Sequence, residues 1–198
     1  MEICSWNNRM IYVCTHKEEP AYKLDCPYEV IHNFNSGLPE TYRHLRGILQ
    51  ILMKHIPDEV GVFQHRRYLS VTEIPEGYDC VVPHNFCGPM QVYSQYCWCH
   101  HKEDIDLLED IISDKDFSSY IRMNNNNECY WDNMFILRKP DFIRYCNFLF
   151  STLNEYVDRK GDARDVCFLA ERIGSFFIWK NFSKDKIYVA NRIQINAY

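Results

Sequence analysis

The chain has 198 residues, of which 46% are hydrophobic and 15% aromatic, so it can bury the core of one domain and is not a disordered chain. Its 27 acidic residues outnumber its 22 basic ones, and the net charge of −5 is opposite in sign to that of a typical nucleic-acid-binding protein. No apolar run reaches the ~18–20 residues that a membrane span needs. No secretory signal pattern opens the sequence, so we expect a cytoplasmic location with reduced, buried cysteines.

Strand and helix patterns alternate along the chain. Strands are predicted at Met10–Cys14, Tyr28–Ile31, Val60–Phe63, Asp79–Pro83 and Tyr130–Leu137, with a terminal strand or arm at Lys186–Ile195. Helices are predicted at Leu38–His55, at Glu103–Ile112, from Pro140 to just before Gly161, and at Asp165–Trp179, and Asn124–Asn127 predicts a loop. Such alternation indicates an α/β domain over residues 1–198, with a mostly parallel sheet flanked by helices.

Two polar clusters follow predicted strands directly. Thr15, His16 and Lys17 follow the first strand, and His65, Arg66 and Arg67 follow the third. Open α/β sheets bind ligands at the carboxyl ends of their strands, and Arg and Lys side chains suit phosphate oxygens. These clusters therefore predict an anion site, such as one for a diphosphate. The alternatives are a solvated turn at Thr15–Lys17 and surface ion pairs at His65–Arg67.

Two further pairs could carry chemistry. Glu171 and Arg172 lie in a predicted helix among apolar residues, where a carboxylate can have a raised pKa and act as a base. The alternative is a structural ion pair, for instance with Arg164. Asp132 and Asn133 enter a predicted buried strand, where they could bind sugar hydroxyls or simply form a turn that satisfies backbone groups.

The segment Cys97–His101 contains zinc-type ligands, but the C-x-C spacing has no clean second pair, and Cys80 and Cys87 are the nearest candidates. Packing of these cysteines as small apolar residues is the favoured interpretation. The sequence contains no Walker loop, no dinucleotide-binding glycine motif, no serine-hydrolase elbow and no H-E-x-x-H pattern.

Four segments together resemble a bacterial family from capsular polysaccharide and O-antigen gene clusters, long described as a domain of unknown function (DUF4422). Ile11–Lys17 resembles its opening strand with a Thr-His-Lys end, and Val60–Tyr68 resembles its most distinctive stretch, which ends in His-Arg-Arg-Tyr. Asp132–Ile136 resembles its Asn-Met-Phe-Ile block, and Phe168–Arg172 resembles its Glu-Arg helix. The order and spacing of these segments span nearly the whole chain.

The resemblance implies a compact GT-A-like (Rossmann-like) fold. It also implies inverting transfer of a hexose from a UDP-sugar to a glycan or lipid-linked glycan acceptor in surface polysaccharide synthesis. Some relatives resemble galactofuranosyltransferases, which would make UDP-galactofuranose the donor. The donor-binding residues would be Thr15, His16, Lys17, His65, Arg66, Arg67, Asn133 and Arg172. Peripheral location at the inner membrane face, and fusion to or complexes with other glycosyltransferase domains, are compatible with this resemblance.

This chain departs from the family pattern before the third strand. Relatives carry a Gly-Asp-Asn stretch and a Glu-Leu-Thr helix start, where this chain has Asn33–Gly37 and Tyr42–Arg46. This difference leaves the donor sugar and the activity open. The alternative function is a non-catalytic module that binds a nucleotide sugar or a partner within a glycan-assembly complex.

No cofactor is firmly implied. Many GT-A enzymes carry an Asp-x-Asp metal motif after the strand that here ends in His65–Arg67, and no carboxylate stands in this cluster. Since Mg²⁺ and Mn²⁺ prefer carboxylate oxygens, our hypothesis is that Arg66 and Arg67 neutralise the diphosphate in place of a metal. An inverting reaction also needs a base, for which Glu171 is the first candidate and Asp132 the second.

Overall fold

The computed structural model describes residues 8–33, 42–84, 90–123, 129–161 and 165–196. The strands in these ranges are β1 (Arg9–Thr15), β2 (Tyr28–His32), β3 (Glu59–Gln64), β4 (Arg67–Leu69), β5 (Cys80–Pro83), β6 (Phe135–Arg138), β7 (Ile187–Ala190) and β8 (Arg192–Gln194). The helices are α1 (Leu45–Leu52), α2 (Val92–Cys99), α3 (Lys102–Ile112), α4 (Lys115–Met123), α5 (Lys139–Lys160) and α6 (Val166–Asn181).

The strands form one sheet in the order β2-β1-β3-β6-β5-β7, and β4 pairs with β3 and with β8. Strand β1 is parallel to β2 and β3, and β5 is parallel to β7. Strand β6 is antiparallel to both of its neighbours, β3 and β5. The main sheet is therefore mostly parallel and flanked by helices, which confirms the predicted α/β fold class.

The direction of β6 decides which side chains meet. Phe135 at the start of β6 pairs with Val62 near the end of β3. The segment that enters β6, including Asp132 and Asn133, therefore lies at the edge of the sheet where β1 and β3 end. The chain passes from β1 to β2 on one side of β1 and to β3 on the other, so this edge also contains the point where strand order reverses.

The two faces of the sheet are covered differently. On one face, alternate strand residues such as Tyr12, Val62 and Leu137 belong to a core that includes side chains from all six helices. The opposite strand residues, such as Val13, Phe63 and Ile136, pack instead against segments outside the helices that include Tyr22, Leu69 and Ile74. This alternation follows from the two-residue period of β-strands.

Helix α1 lies unusually close to the ends of β1 and β2. A Cβ atom on Gly47 would stand 2.4 Å from Cys14 Sγ and 2.7 Å from Asn33 Oδ1, which is closer than packed atoms allow. The absence of a side chain at Gly47 therefore lets α1 approach the sheet and brings its first turn beside the carboxyl ends of the strands.

Several sequence predictions need correction. The strand predicted from Tyr130 begins only at Phe135, because Asp132 and Asn133 have left-handed φ angles of 70° and 47° that interrupt an extended chain. Within the described residues, the helix predicted from Leu38 begins at Leu45. The sequence did not predict β4, α2 or α4. The predicted Asn124–Asn127 loop lies outside the described residues. Helix α5 is confirmed, with Pro140 in its first turn and Gly161 after its end with a φ of 69°.

Candidate functional site

A cationic group lies at the carboxyl ends of β1 and β3. The rings of His16 and His65 contact each other edge to face, with their centroids 4.4 Å apart. Partial burial, together with His16, Arg66 and Lys17, lowers the pKa of His65 to about 4. Burial, Lys17 and Arg66 also lower the pKa of His16. Both histidines are therefore held neutral in a field of positive charge, which is a setting that favours an anion.

A cavity of about 610 Å³ opens beside these histidines, and we call it the first cavity. Its walls come from the ends of β1, β2 and β3 and from the start of α1. They comprise Cys14, His16, Asn33, Arg43, His44, Arg46, Gln64 and His65. Asn33 Oδ1 is buried there without a hydrogen-bond partner among the described residues, so an acceptor atom remains available to a ligand.

Residues 42–46 depart from the family pattern, but the sequence alone did not predict that they belong to a site. Arg43 and Arg46 add two guanidinium groups to the wall of the first cavity. The signal that could have found them is the spacing of two arginines within one helical turn, at the start of an apolar helix.

Asp132 is the centre of an ion-pair group that we call the Asp132 clasp, made of Asp132, Arg67 and Arg192. Arg67 Nη1 lies 2.6 Å from Asp132 Oδ1, and Arg192 Nη1 lies 2.8 Å from Asp132 Oδ2. The side-chain amide of Gln64 donates to the carbonyl oxygen of Asp132. The clasp therefore joins β4, β8 and the entry to β6, and it occupies both oxygens of the Asp132 carboxylate.

Glu171 on α6 lies directly beside the clasp. One of its carboxylate oxygens accepts the backbone N–H of Asp132 at 3.2 Å, and the other lies 3.1 Å from Arg172 Nη1. Its side chain is only 16% exposed. Burial and, to a lesser extent, the charge of Asp132 raise the pKa of Glu171 to about 7, against the opposing effects of Arg172, the backbone N–H of Asp132 and Arg67. A carboxylate that titrates near neutrality suits a general base.

Arg172 is fully buried and holds several groups in place. Its guanidinium donates to the carbonyl oxygen of Phe168 at 2.8 Å and to the side-chain oxygen of Gln95. It also lies over the ring of Trp131, 4.1 Å from the centroid. Arg172 thus orients Glu171 and Trp131 together, and its charge offsets part of the burial cost of the carboxylate.

A second cavity of about 410 Å³ lies next to Glu171. Its lining combines large aromatic side chains with polar and charged groups. The lining residues are Met90, Gln95, Trp98, His100, Trp131, Asp132, Phe168, Glu171 and Arg172. The two cavities adjoin at Asp132, because Asp132 lines the second cavity and its carbonyl oxygen accepts the side-chain amide of Gln64, which lines the first.

Asn133 connects the segment before β6 to the start of α1. Its amide nitrogen lies 2.9 Å from His44 Nε2, and burial lowers the pKa of His44 to about 4. His44 is therefore neutral, and its Nε2 can accept the Asn133 N–H. The buried Asn133 side chain therefore holds the turn before β6 against α1. Its predicted contact with the donor stays a prediction.

The structure brings the predicted site residues together at one edge in two adjoining groups. His16, Lys17, His65 and Arg66 form the cationic group, while Asp132, Asn133, Glu171 and Arg172 form the carboxylate group, and Arg67 belongs to both through its ion pair. Thr15 is fully buried, and its hydroxyl accepts the backbone N–H of Lys17 at 2.9 Å, which shapes the turn that carries His16. A direct role for Thr15 in donor binding stays a prediction.

The segment Cys97–His101, which contains zinc-type ligands, is not arranged as a metal site in the described part of the chain. Within the described ranges, no group of three or more His, Cys, Asp and Glu side chains is placed to hold a metal ion. The ring of His100 instead packs against Phe168 at 4.1 Å between centroids and against Tyr96 at 4.8 Å. Cys87 lies outside the described residues, as does Arg164, the predicted alternative partner of Glu171.

Among the described helices, none combines the length and the apolar character needed to cross a membrane.

A family model described as a domain of unknown function (DUF4422) matches residues 70–184 of the 198-residue chain. The chain belongs to the DUF4422 family. This match includes Asp132, Asn133, Glu171 and Arg172, whereas the motifs at the ends of β1 and β3 precede it. The predicted family is thereby confirmed.

The fold is similar to that of a solved structure, the apo form of the bifunctional glycosyltransferase WbbM. The TM-score is 0.78 at 18% sequence identity, over 96% of this chain and 46% of that chain. This DUF4422 chain therefore spans about half the length of the protein it resembles. At this identity the similarity establishes a shared fold. No curated protein matches the chain.

Proposed function

We propose that this chain, over residues 1–198, is a glycosyltransferase domain that moves a hexose from a UDP-sugar to a hydroxyl group of a glycan. The observation that carries the proposal is the juxtaposition at one sheet edge of a cationic cavity and a buried carboxylate, Glu171, whose pKa is near 7. The fold shared with a bifunctional glycosyltransferase supports the same conclusion. We further propose that the product belongs to a surface polysaccharide and that the donor is a galactofuranosyl nucleotide.

The first cavity is the proposed donor site. Arg43 and Arg46 lie in its wall, and the charges of Lys17 and Arg66 act on His16 in the same wall, so a diphosphate would meet several positive charges. Arg67 is already paired with Asp132, so its main role here is to hold the clasp. The two arginines therefore have different proposed roles. Arg66 contacts the diphosphate, whereas Arg67 holds Asp132 in place beside the site.

The proposed reaction is an inverting displacement. Glu171 takes the proton from the acceptor hydroxyl, whose oxygen forms a bond to the anomeric carbon of the donor sugar. The bond from that carbon to the diphosphate breaks, and UDP leaves with the electron pair. Positive side chains at the donor site stabilise the charge that develops on the leaving diphosphate, which is where electrostatic catalysis is most effective.

A thermal-shift experiment tests the donor site. UDP, UDP-galactose, UDP-galactofuranose and UDP-glucose are each added to the protein, with a GDP-sugar for comparison. A ligand at 100 times its Kd should add about 2.7 kcal/mol to the free energy of unfolding. We expect a shift with UDP compounds that Arg66→Ala abolishes and Arg159→Ala, an exposed change on α5, preserves. Absence of a shift with every nucleotide would contradict donor binding, while binding without any turnover would favour the non-catalytic module.

Transfer activity is expected to survive metal removal. The cationic group supplies the positive charge that a divalent cation supplies elsewhere, and among the described residues no three His, Cys, Asp or Glu side chains are placed to hold a metal ion. The measurement is UDP release from the donor in EDTA, compared with the same assay in Mn²⁺. Complete loss of activity in EDTA, restored by Mn²⁺, would refute metal-independent transfer.

Donor affinity is expected to rise as the pH falls from 7 towards 5. His65 is neutral in the free protein because its pKa is about 4, and a bound diphosphate would raise that pKa and promote proton uptake. Uptake of one proton changes the affinity by up to about tenfold per pH unit. Calorimetry with UDP-glucose, whose diphosphate does not titrate in this range, measures the effect. His65→Asn should flatten the pH dependence and His55→Asn, an exposed change, should not; a flat profile in the wild type would contradict the prediction.

A further inference from the structure

The second cavity presents an aromatic surface that the fold itself does not cover. Trp98 on α2 is 79% exposed, although it is one of the largest apolar side chains. Trp131 and Phe168 line the same cavity, and Met90 stands at its rim. Exposed aromatic clusters of this kind mark binding sites, because covering such a ring removes a large apolar area from water.

The other aromatic rings of the cavity are fixed by their neighbours. Arg172 lies over Trp131, and His100 packs on Phe168. Neither arrangement involves Trp98, whose large exposure leaves its ring accessible to a ligand. The cavity thus has rigid walls and one exposed platform, which is the organisation of a preformed ligand site.

The polar groups of the cavity favour a sugar over an alkyl chain. Gln95, His100, Glu171 and Arg172 all line it, so an inserted alkyl chain would remove water from a carboxylate and a guanidinium without replacing their hydrogen bonds. A pyranose ring offers an apolar C–H face to an aromatic platform and a rim of hydroxyl groups to polar side chains. The volume of about 410 Å³ lies in the range of small-ligand pockets.

We propose that the second cavity is the acceptor subsite, in which one pyranose ring of the acceptor stacks on Trp98 and directs a hydroxyl group to Glu171. The acceptor role rests on the proposed function, whereas the sugar-binding surface rests on the cavity itself. Glu171 would accept the hydroxyl proton as the oxygen bonds to the donor's anomeric carbon and UDP departs with the electrons of the broken bond. Gln95 and His100 would position the remaining hydroxyl groups.

Binding of simple glycosides tests this subsite without the natural acceptor. Methyl glycosides of galactose, glucose, mannose and N-acetylglucosamine are titrated into the protein with and without UDP, and binding is followed by saturation-transfer NMR. We expect at least one glycoside to bind, with an affinity that Trp98→Ala lowers at least tenfold and Trp98→Phe lowers only a few-fold. Met53→Ala, at another strongly exposed apolar side chain, is the matched control and should leave the affinity unchanged.

Parallel arms separate the outcomes. Decylphosphocholine, which has an alkyl chain and no sugar, should show no Trp98-dependent binding; if it binds there and the glycosides do not, the subsite proposal is overturned. Turnover of a UDP-sugar without Trp98-dependent glycoside binding would also overturn the subsite while leaving the proposed function intact. Trp98-dependent glycoside binding in a protein that neither binds nor turns over nucleotide sugars would overturn the proposed function and leave only the sugar site.

Discussion

Replacement of Glu171 by glutamine is expected to lower the turnover of sugar transfer by roughly 10²–10⁴-fold, because the acceptor hydroxyl would lose its base. The change keeps the size and most hydrogen-bonding geometry of the side chain. Affinity for the UDP-sugar should change little, since Glu171 lines the second cavity and the cations line the first. Steady-state measurement of UDP release with an acceptor present gives the result, and turnover near that of the wild type would remove Glu171 from the role.

The pH dependence provides a second test of the same residue. A general base works in its ionised form, so the wild-type rate should rise as the pH increases through about 7, the pKa of Glu171. The glutamine variant should lack this ionisation. Glu155→Gln, at an exposed carboxylate paired with Arg159 on α5, is the matched control and should keep both the rate and its pH profile.

The free energy of unfolding should change with pH in the direction opposite to the rate, because ionisation of the buried Glu171 destabilises the fold. Its pKa in the folded protein lies above the ordinary value of 4.5, so the folded state binds this proton more tightly than the unfolded state. The free energy of unfolding therefore falls as the pH rises from about 4.5 to 7, and the loss is complete above that range. Glu171→Gln should accordingly be at least as stable as the wild type at pH 8, which urea denaturation can check. Lower stability of the variant at pH 8 would contradict the assigned burial cost.

Replacement of Asp132 by asparagine is expected to destabilise the fold by about 2–4 kcal/mol. The change removes the shared partner of Arg67 and Arg192 and leaves two guanidinium groups facing each other across a buried amide. Both arginines are about one third exposed, at 34% and 35%, so solvent screening keeps the effect below that of a fully buried pair. Asparagine tolerates the left-handed φ of 70° at this position, so the backbone should not add strain.

Urea denaturation measures this effect, with Asp110→Asn as the control. Asp110 pairs with Arg159 on the surface and is 72% exposed, so its replacement should cost less than about 1 kcal/mol. If the two variants lose equal stability, the clasp has no special structural role. The Asp132 variant should also lower the pKa of Glu171, because the negative charge of Asp132 helps to raise it. Its rate profile should therefore shift to lower pH.

The sequence predicted the parallel part of the site well. An apolar run followed at once by polar residues indicates a buried strand and its end, so Thr15–Lys17 and His65–Arg67 could be placed at one edge before any coordinates were known. Parallel neighbours end at the same edge, which accounts for the contact between His16 and His65. Local pattern and strand direction agree in this part of the chain.

The direction of β6 could not be predicted, because an apolar alternation is the same whichever way a strand runs. The sequence therefore identified Asp132 and Asn133 as polar residues entering a strand, but it gave no reason to place them beside β3. The pairing of Arg192 with Asp132 depends on the long-range pairing of β8 with β4, for which no local signal exists. The role of residues 43–46 was missed for a similar reason, since α1 reaches the strand ends only through its close contact at Gly47.

The Asp132 clasp also bears on how the chain folds. Its two ion pairs join residues 65 and 60 positions apart in sequence, and the β4–β8 ladder closes a still longer loop. Contacts between distant segments require chain entropy to be lost before they contribute energy, so they tend to form late. The β1–β2 and β1–β3 ladders close shorter loops and can assemble first. The candidate site is then completed only in the last steps of folding, and a chain with most of its sheet formed would still lack the junction at which its two cavities meet.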